Sequence, residues 1–226
     1  MKQSKMMIPL LKEAPTDVAD LSYQRLIQGG FVRQVVPGVY GYLPLLQRVF
    51  GKLQTIIHEE LQEFAQELSF PDLVPADLWE KFAPLALEHP AYPLHDQNGQ
   101  EYLLGASQLG GYLKLLATNQ QNAGLSLYTM KTSYRNERKI TSGLINSREY
   151  FKLEGYTFQA DLSQLELSRE LLNQSLQQIF RRCGVNVKKV IGENQFQPLK
   201  NSDDFVIVSE SGTEAICYST ESSYGA

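Results

Sequence analysis

Cysteine is scarce in this chain: 226 residues carry two, Cys183 and Cys217. They are too far apart for metal-ligand spacing and too few for a disulfide framework, so both read as buried or half-buried thiols in a reducing compartment. Histidine is nearly as rare, with three in all. His58-Glu59-Glu60 lacks a second histidine one turn on, which excludes a zinc-protease helix and leaves a solvated helix face. No metal site is predicted. No segment approaches the ~20 apolar residues of a membrane span, and the short proline-broken run at the N-terminus does not make a leader, so the expected location is cytoplasmic, with no membrane partner. Basic charge is in deficit too: the formal net charge is −4. That excludes a protein that coats nucleic acid generally, and leaves Lys131, Arg135, Arg138 and Lys139 as a local strip that could meet phosphates.

What is present is enough apolar material, 42% of the chain, to bury the core of a single domain spanning 1–226. Thr16 is placed to cap a helix carrying Val18, Leu21, Leu26 and Ile27, which Gly29-Gly30 would end. Pro37-Gly38 signals a turn before a short strand at 39–42, and Pro44 opens the next helix. Apolar residues at Leu46, Val49, Leu53, Ile57, Leu61, Phe64 and Leu68 predict that helix over 45–68. An extended stretch follows at 70–74, where Pro71 favours an edge or an interface. Residues 80–101 carry Pro84, Pro90 and Pro93 and read as an irregular excursion, closed by the hairpin turn Asp96-Gln97-Asn98-Gly99. A strand end at 102–105 leads through Ser107 into a helix with Leu113, Leu115 and Leu116. Further on, Asp161 or Ser163 caps a helix that runs to Arg181-Arg182, whose charges suit a helix C-terminus. A strand at 185–191 and a last hairpin, 204–208 with 214–218 around Ser211-Gly212, complete the reading.

Residues 127–159 organise the rest. Two Tyr-, Phe- and Thr-rich extended segments flank a polar loop holding Lys139, Thr141, Ser142 and Gly143, which predicts an antiparallel hairpin with a long connection. Alternation along a strand puts Arg135 and Glu137 on one face, and Arg148 can return toward it. An Arg-x-Glu alone is most simply a solvated surface ion pair.

The surrounding residues add to that reading. Tyr134-Arg135-Asn136-Glu137, a loop, then Ser147-Arg148-Glu149-Tyr150-Phe151-Lys152-Leu153-Glu154-Gly155-Tyr156-Thr157-Phe158 resembles motif 2 of the class II aminoacyl-tRNA synthetases of bacterial prolyl type. Val39-Tyr40-Gly41-Tyr42-Leu43-Pro44, a long helix, and Phe70-Pro71-Asp72-Leu73-Val74-Pro75-Ala76-Asp77-Leu78-Trp79 resemble the motif 1 region of the same family. The resemblance implies an α+β class II synthetase-like fold, a mostly antiparallel sheet flanked by helices. It also implies ATP and Mg²⁺ as cofactors, homodimerisation through the region around Pro71, and tRNA as a possible partner. The implied chemistry is attack of an amino-acid carboxylate on the α-phosphate of ATP, which is mostly positioning and charge stabilisation. Guanidinium groups suit it because they offer phosphate a fork of donors and stay protonated. By resemblance Arg135 meets the α-phosphate and the substrate carboxylate, Glu137 the adenine amino group, and Arg148 a second phosphate. Lys139 lies in the loop that would cover the γ-phosphate or the tRNA end.

Departures from the family pattern are equally specific. Prolyl enzymes carry Thr-x-Glu at the strand-to-helix corner to hold the substrate nitrogen, and this chain has Ser107 and Leu109. A family histidine near the pocket aligns with Asp203. Glu154 and Tyr156 face the pocket or the core depending on register, with Tyr156 reading more simply as a core aromatic. No arginine follows Arg182, so the motif 3 segment is expected to be lacking, as are the editing and anticodon-binding domains. The implied function is therefore that of a prolyl-tRNA synthetase-like domain, with a catalytically impaired paralogue in a binding, dimerising or regulatory role as the alternative.

Overall fold

Ten consecutive cross-strand pairs, from Leu125 with Phe158 to Tyr134 with Glu149, tie the centre of the protein together. They belong to a computed structural model that describes residues 2–13, 20–82, 91–105, 107–118, 123–138, 140, 143–192, 202–209, 212, 215–217 and 219. In chain order the elements are α1 (Leu21–Gln28), β1 (Val32–Val36), β2 (Val39–Tyr42), α2 (Pro44–Leu61), β3 (Gln66–Glu67), β4 (Leu73–Pro75), α3 (Ala76–Phe82), β5 (Tyr92–His95) and β6 (Glu101–Leu104). Then come α4 (Leu109–Ala117), β7 (Leu125–Tyr134), β8 (Glu149–Phe158), α5 (Leu162–Arg182), β9 (Lys188–Ile191) and β10 (Asp203–Val206), after a single 3-10 turn at Gln3–Lys5. The sheets are β3-β7-β8, β4-β6-β5 and the hairpins β1-β2 and β9-β10. Only β3 with β7 is parallel among these pairings. The fold is thus α+β with mostly antiparallel sheets, as expected.

Strand alternation gives the β7–β8 hairpin two unlike faces. On one, Tyr128, Met130 and Leu153 pack with Leu61 and Ala65 at the end of α2 and with Leu176 and Ile179 of α5, while Phe50 meets Phe151 at 5.5 Å. On the other lie Thr129, Lys131 and Ser133, opposite Glu154, Lys152 and Tyr150. Helices therefore back one side of the hairpin and leave polar groups on the other. Arg182 fastens α5 to α2 by pairing with Glu60 at 2.7 Å and with Glu59, a use beyond its favourable place near a helix C-terminus.

Two boundaries differ from the periodicity. Helix α2 starts at Pro44 as predicted but ends at Leu61, not at 68. Beyond it the backbone pairs with β7, Gln66 with Leu127 and Glu67 with Tyr128, and Leu68 N–H donates to the Tyr128 carbonyl at 2.9 Å. Phe64 and Leu68 continue the helical spacing by coincidence, because sheet bonds to a distant strand satisfy that backbone instead. The second difference is the last hairpin: β10 pairs with β9, Asp203 with Ile191 through Val206 with Lys188. Of its predicted partner, 214–218, residues 215–217 are described and lie in no strand, while 214 and 218 lie outside the described residues. Helix α1 is capped by Asp20, whose carboxylate accepts from Ser22 N–H at 2.8 Å and Tyr23 N–H at 3.1 Å; Thr16 lies outside the described residues. Asp161 caps α5 by accepting from Gln164 N–H at 2.9 Å.

Gly105 joins the two three-stranded sheets. Its φ is +83°, and a Cβ there would stand 1.9 Å from the Tyr134 carbonyl oxygen. Gly105→Ala combines left-handed backbone strain with a clash against main chain, so it should destabilise by about 2–4 kcal/mol in urea unfolding. Asp203 supplies a second check. Burial pushes its carboxyl up, but the Arg169 hydrogen bond and charge, with the charge of Lys189, outweigh burial and hold it below its usual value. A depressed carboxylate stabilises the fold above the unfolded pKa of about 4 and loses that contribution as pH falls through the folded value. Asp203→Asn should therefore cost about 1 kcal/mol at pH 7, and the gap to wild type should close on acidification below pH ~4 in thermal melts.

Candidate functional site

The polar face of the β7–β8 hairpin has a roof. Helix α4 places Tyr112 over it, fully buried, stacked on Phe70 at 4.7 Å and 15° and tilted against Tyr156 at 4.7 Å. Gly111 permits that stack, since a Cβ there would lie 2.3 Å from the Phe70 ring. Burial first, then the charge of Glu154, pushes the Tyr112 hydroxyl pKa up to about 12. At the N-terminal approach to α4, Ser107 Oγ lies 3.2 Å from the Tyr156 hydroxyl and accepts from Leu109 N–H at 3.3 Å. The Tyr156 hydroxyl in turn donates to Glu154 Oε1. Ser107, Tyr156 and Glu154 thus form one chain, and the register settles that Glu154 and Tyr156 face this site.

Charges on the floor are paired. Lys152 Nζ stands 3.0 Å from Glu154 Oε2, with side-chain exposures of 16% and 8%. Lys131, directly opposite Lys152 in the ladder, reaches across to Asp72 at 2.7 Å, at exposures of 15% and 14%. Gln108, 1% exposed, donates to the Pro71 carbonyl at 2.7 Å. Ser133 Oγ donates to Asp72 Oδ1 at 3.4 Å. Charges this deep need such partners, because desolvation takes several kcal/mol from each unpaired ion.

At the end of the hairpin Arg135 is buried, its guanidinium carbon 4.2 Å from the Tyr150 ring centre. Its Nε donates to the Ser147 carbonyl at 2.6 Å and Nη2 to the Ile145 carbonyl at 2.5 Å. Because Tyr150 shares a face with Lys152 and Glu154, Arg135 belongs to the same site. The strand stops at Tyr134, so alternation does not extend to Arg135 and Glu137, and tertiary contacts decide their placement instead. Arg148 donates from Nη1 to the Pro37 carbonyl at 3.1 Å and from Nη2 to the Glu137 carbonyl at 3.4 Å, and its N–H bonds the Gly38 carbonyl at 2.7 Å. It clamps the loop to the β1–β2 turn. Glu137 is half-buried.

Of the predicted residues, one stands elsewhere and one is not described. Lys139 lies outside the described residues. Asp203 is built into the ion-pair cluster with Arg169, 2.6 Å away on α5, and Lys189, 3.6 Å away on β9. Leu109 is half-buried as the first residue of α4. Asp72, Gln108, Tyr112, Tyr150 and Lys152 carry no site reading from the sequence, and Lys131 reads there only as part of a basic strip. The signal available for the lysines was their position on alternating residues of half-buried strands, which becomes meaningful only once the register pairs them.

Residues 92–223 match the tRNA synthetase class II core domain (G, H, P, S and T). Across its whole length the chain is 33% identical to the proline–tRNA ligase of Ligilactobacillus salivarius, covering 40% of that protein. It is 35% identical to that of Lactobacillus acidophilus, covering 41%. The chain thus spans about two-fifths of the length of the curated relatives it matches. Among solved structures, the prolyl-tRNA synthetase of Cryptosporidium parvum complexed with L-proline and AMP superposes with a TM-score of 0.69 at 15% identity, over 81% of this chain and 40% of that one. The Giardia lamblia enzyme in complex with prolyl-adenylate gives 0.70 at 16% identity, over 79% and 38%. The fold, the hairpin with its flanking arginines and the whole-length identity agree: this chain belongs to the class II tRNA synthetase core family, among relatives of prolyl type.

Proposed function

We propose that this domain binds ATP with Mg²⁺ on the polar face of the β7–β8 hairpin and supports activation of an amino-acid carboxylate, in the manner of prolyl-tRNA synthetases. The observation that carries the reading is the Arg135 guanidinium, held over Tyr150 on the face that also bears Lys152 and Glu154. It gives the hairpin a fixed cation beside a polar, roofed floor. The relatives' names, proline–tRNA ligase, and the AMP and prolyl-adenylate named with the superposed enzymes support the same chemistry. A phosphate approaching Arg135 competes with the Ser147 and Ile145 carbonyls. It can do so because a hydrogen bond between two charged groups is roughly twice as strong as one between neutral groups. Glu137 in this reading meets the adenine amino group, and Arg148 and Lys139 serve the distal phosphates. Ser107, Leu109, Glu154 and Tyr156 line the amino-acid side.

Pro71 and Leu73 are exposed, which supports a homodimer formed through that stretch. In this reading tRNA is the acceptor and the cytoplasm is the location. A second reading, a non-catalytic relative that retains nucleotide binding, is favoured by the apolar Leu109 and by the Lys152–Glu154 pair. The two separate by pyrophosphate exchange.

In calorimetry with Mg-ATP, Arg135→Lys should weaken binding at least tenfold, about 1.4 kcal/mol, while circular dichroism reports an unchanged fold. It keeps the charge and removes the planar fork. Equal affinity in wild type and variant would remove nucleotide binding from this face. ATP–pyrophosphate exchange above background with proline, lost in the same variant, is the outcome expected of an activating enzyme. Binding without exchange for any amino acid selects the second reading.

A further inference from the structure

Glu154 is a buried carboxylate linked to Ser107 through the Tyr156 hydroxyl. A cationic amine entering this pocket would turn to it, since a positive charge leaving water needs a paired anion. A cation is already paired with Glu154, although its Oε2 makes no hydrogen bond. Lys152, two residues earlier on the same strand, holds its ammonium 3.0 Å from Glu154 Oε2, and both side chains are shielded from solvent. Directly across the ladder stands Lys131, a second ammonium on the same face, neutralised by Asp72 at 2.7 Å.

We propose that Lys152 determines the ligand specificity of this site, its ammonium occupying the position that a ligand's cationic amine would otherwise take, so that the domain favours carboxylates lacking a charged amine over amino acids. The inference rests on the second reading above, in which the domain keeps nucleotide binding on this face without activating an amino acid. Its physical basis is competition: one buried carboxylate is matched by one tethered cation, and an intramolecular partner has a high effective concentration. A second ammonium must either displace Lys152 into solvent or share Glu154 beside two lysines that repel it. A ligand carrying a carboxylate without an ammonium meets no such competitor.

The test compares wild type, Lys152→Met and Lys152→Arg by calorimetry with L-proline and with tetrahydrofuran-2-carboxylate, which keeps the ring and carboxylate and replaces the amine by an ether oxygen. Wild type and Lys152→Arg should bind the ether acid at least as well as proline. Lys152→Met, with Glu154 released, should bind proline at least tenfold more tightly than wild type does, and proline should raise its melting temperature. Pyrophosphate exchange with proline should rise in step. If Lys152→Met is too unstable to assay, Lys152→Met with Glu154→Gln removes both charges. That variant should fold and gain no affinity for proline, whereas a gain there would show that space, not charge, was released.

Proline binding equal in wild type and Lys152→Met, or absent from both, overturns the inference. Mg-ATP titrations of the same samples keep the two readings apart. Loss of ATP binding in every protein, wild type included, counts against the nucleotide site and leaves the lysine comparison standing.

Discussion

The register of the β7–β8 hairpin is the constraint on which the rest of the structure depends. Side chains alternate with a period of two, so a slip of one residue would exchange its faces. Tyr128, Met130 and Leu153 would leave the helices, and Lys131, Lys152 and Glu154 would be driven beneath α2 and α5. Burying those ions without their present partners costs several kcal/mol each, a penalty comparable with the whole stability of an ordinary domain. The apolar and polar patterns on the two faces therefore specify a single pairing. Gly105, pressed against the Tyr134 carbonyl, joins the second sheet to that pairing at its far end.

From this frame the loop of the hairpin gains its shape. Arg135 and Arg148 flank it, and both spend donors on backbone carbonyls: Arg135 on Ser147 and Ile145, Arg148 on Pro37 and Glu137. A loop with few ladder bonds of its own needs such partners for its buried carbonyls. The β1–β2 turn contributes as well. Gly38, at φ +80°, lies against Ile140 and Arg148, and Gly143, at φ +59°, lies against Tyr23 of α1. The N-terminal elements thus pack against the loop, a use that the helix, turn and strand read from their sequence did not announce.

The sequence was most informative where structure follows from local rules. Pro44 at a helix start, Asp161 as a cap, the turn Asp96 to Gly99 and the two long strands of the hairpin are all encoded within a few residues of where they act. It was least informative where a distant segment decides. Phe64 and Leu68 keep helical spacing but leave the helix because β7 offers Gln66 and Glu67 a ladder. Val190 and Asp204 pair across a long interval, where the sequence pattern pairs 204–208 with 214–218 instead. In the site, Arg135 and Ser107 were marked by the resemblance and Glu154 and Tyr156 were left open between pocket and core, whereas the pairs Asp72 with Lys131 and Lys152 with Glu154 were not legible. An ion pair between residues 59 positions apart leaves no mark in a single sequence, and a pair two positions apart matters only once its face is known.

Electrostatics make the two halves of the proposed site unequal. Around Lys131 and Lys152 the charges sum to zero, two ammonium groups against Asp72 and Glu154, all within short range and largely out of water. A neutral cluster of that kind attracts neither sign strongly, and it resists any newcomer that must break an existing pair. At Arg135, two of the contacts that hold the guanidinium, to Ser147 and Ile145, are to neutral carbonyls. A phosphate offers it full charge in exchange for dipoles, and no counter-charge has to be displaced from those two contacts. Anionic groups are therefore favoured at the hairpin's end and cationic ones disfavoured at its floor. This polarity follows from which residues of one strand pair supply the counter-ions, and it does not require the fold to change.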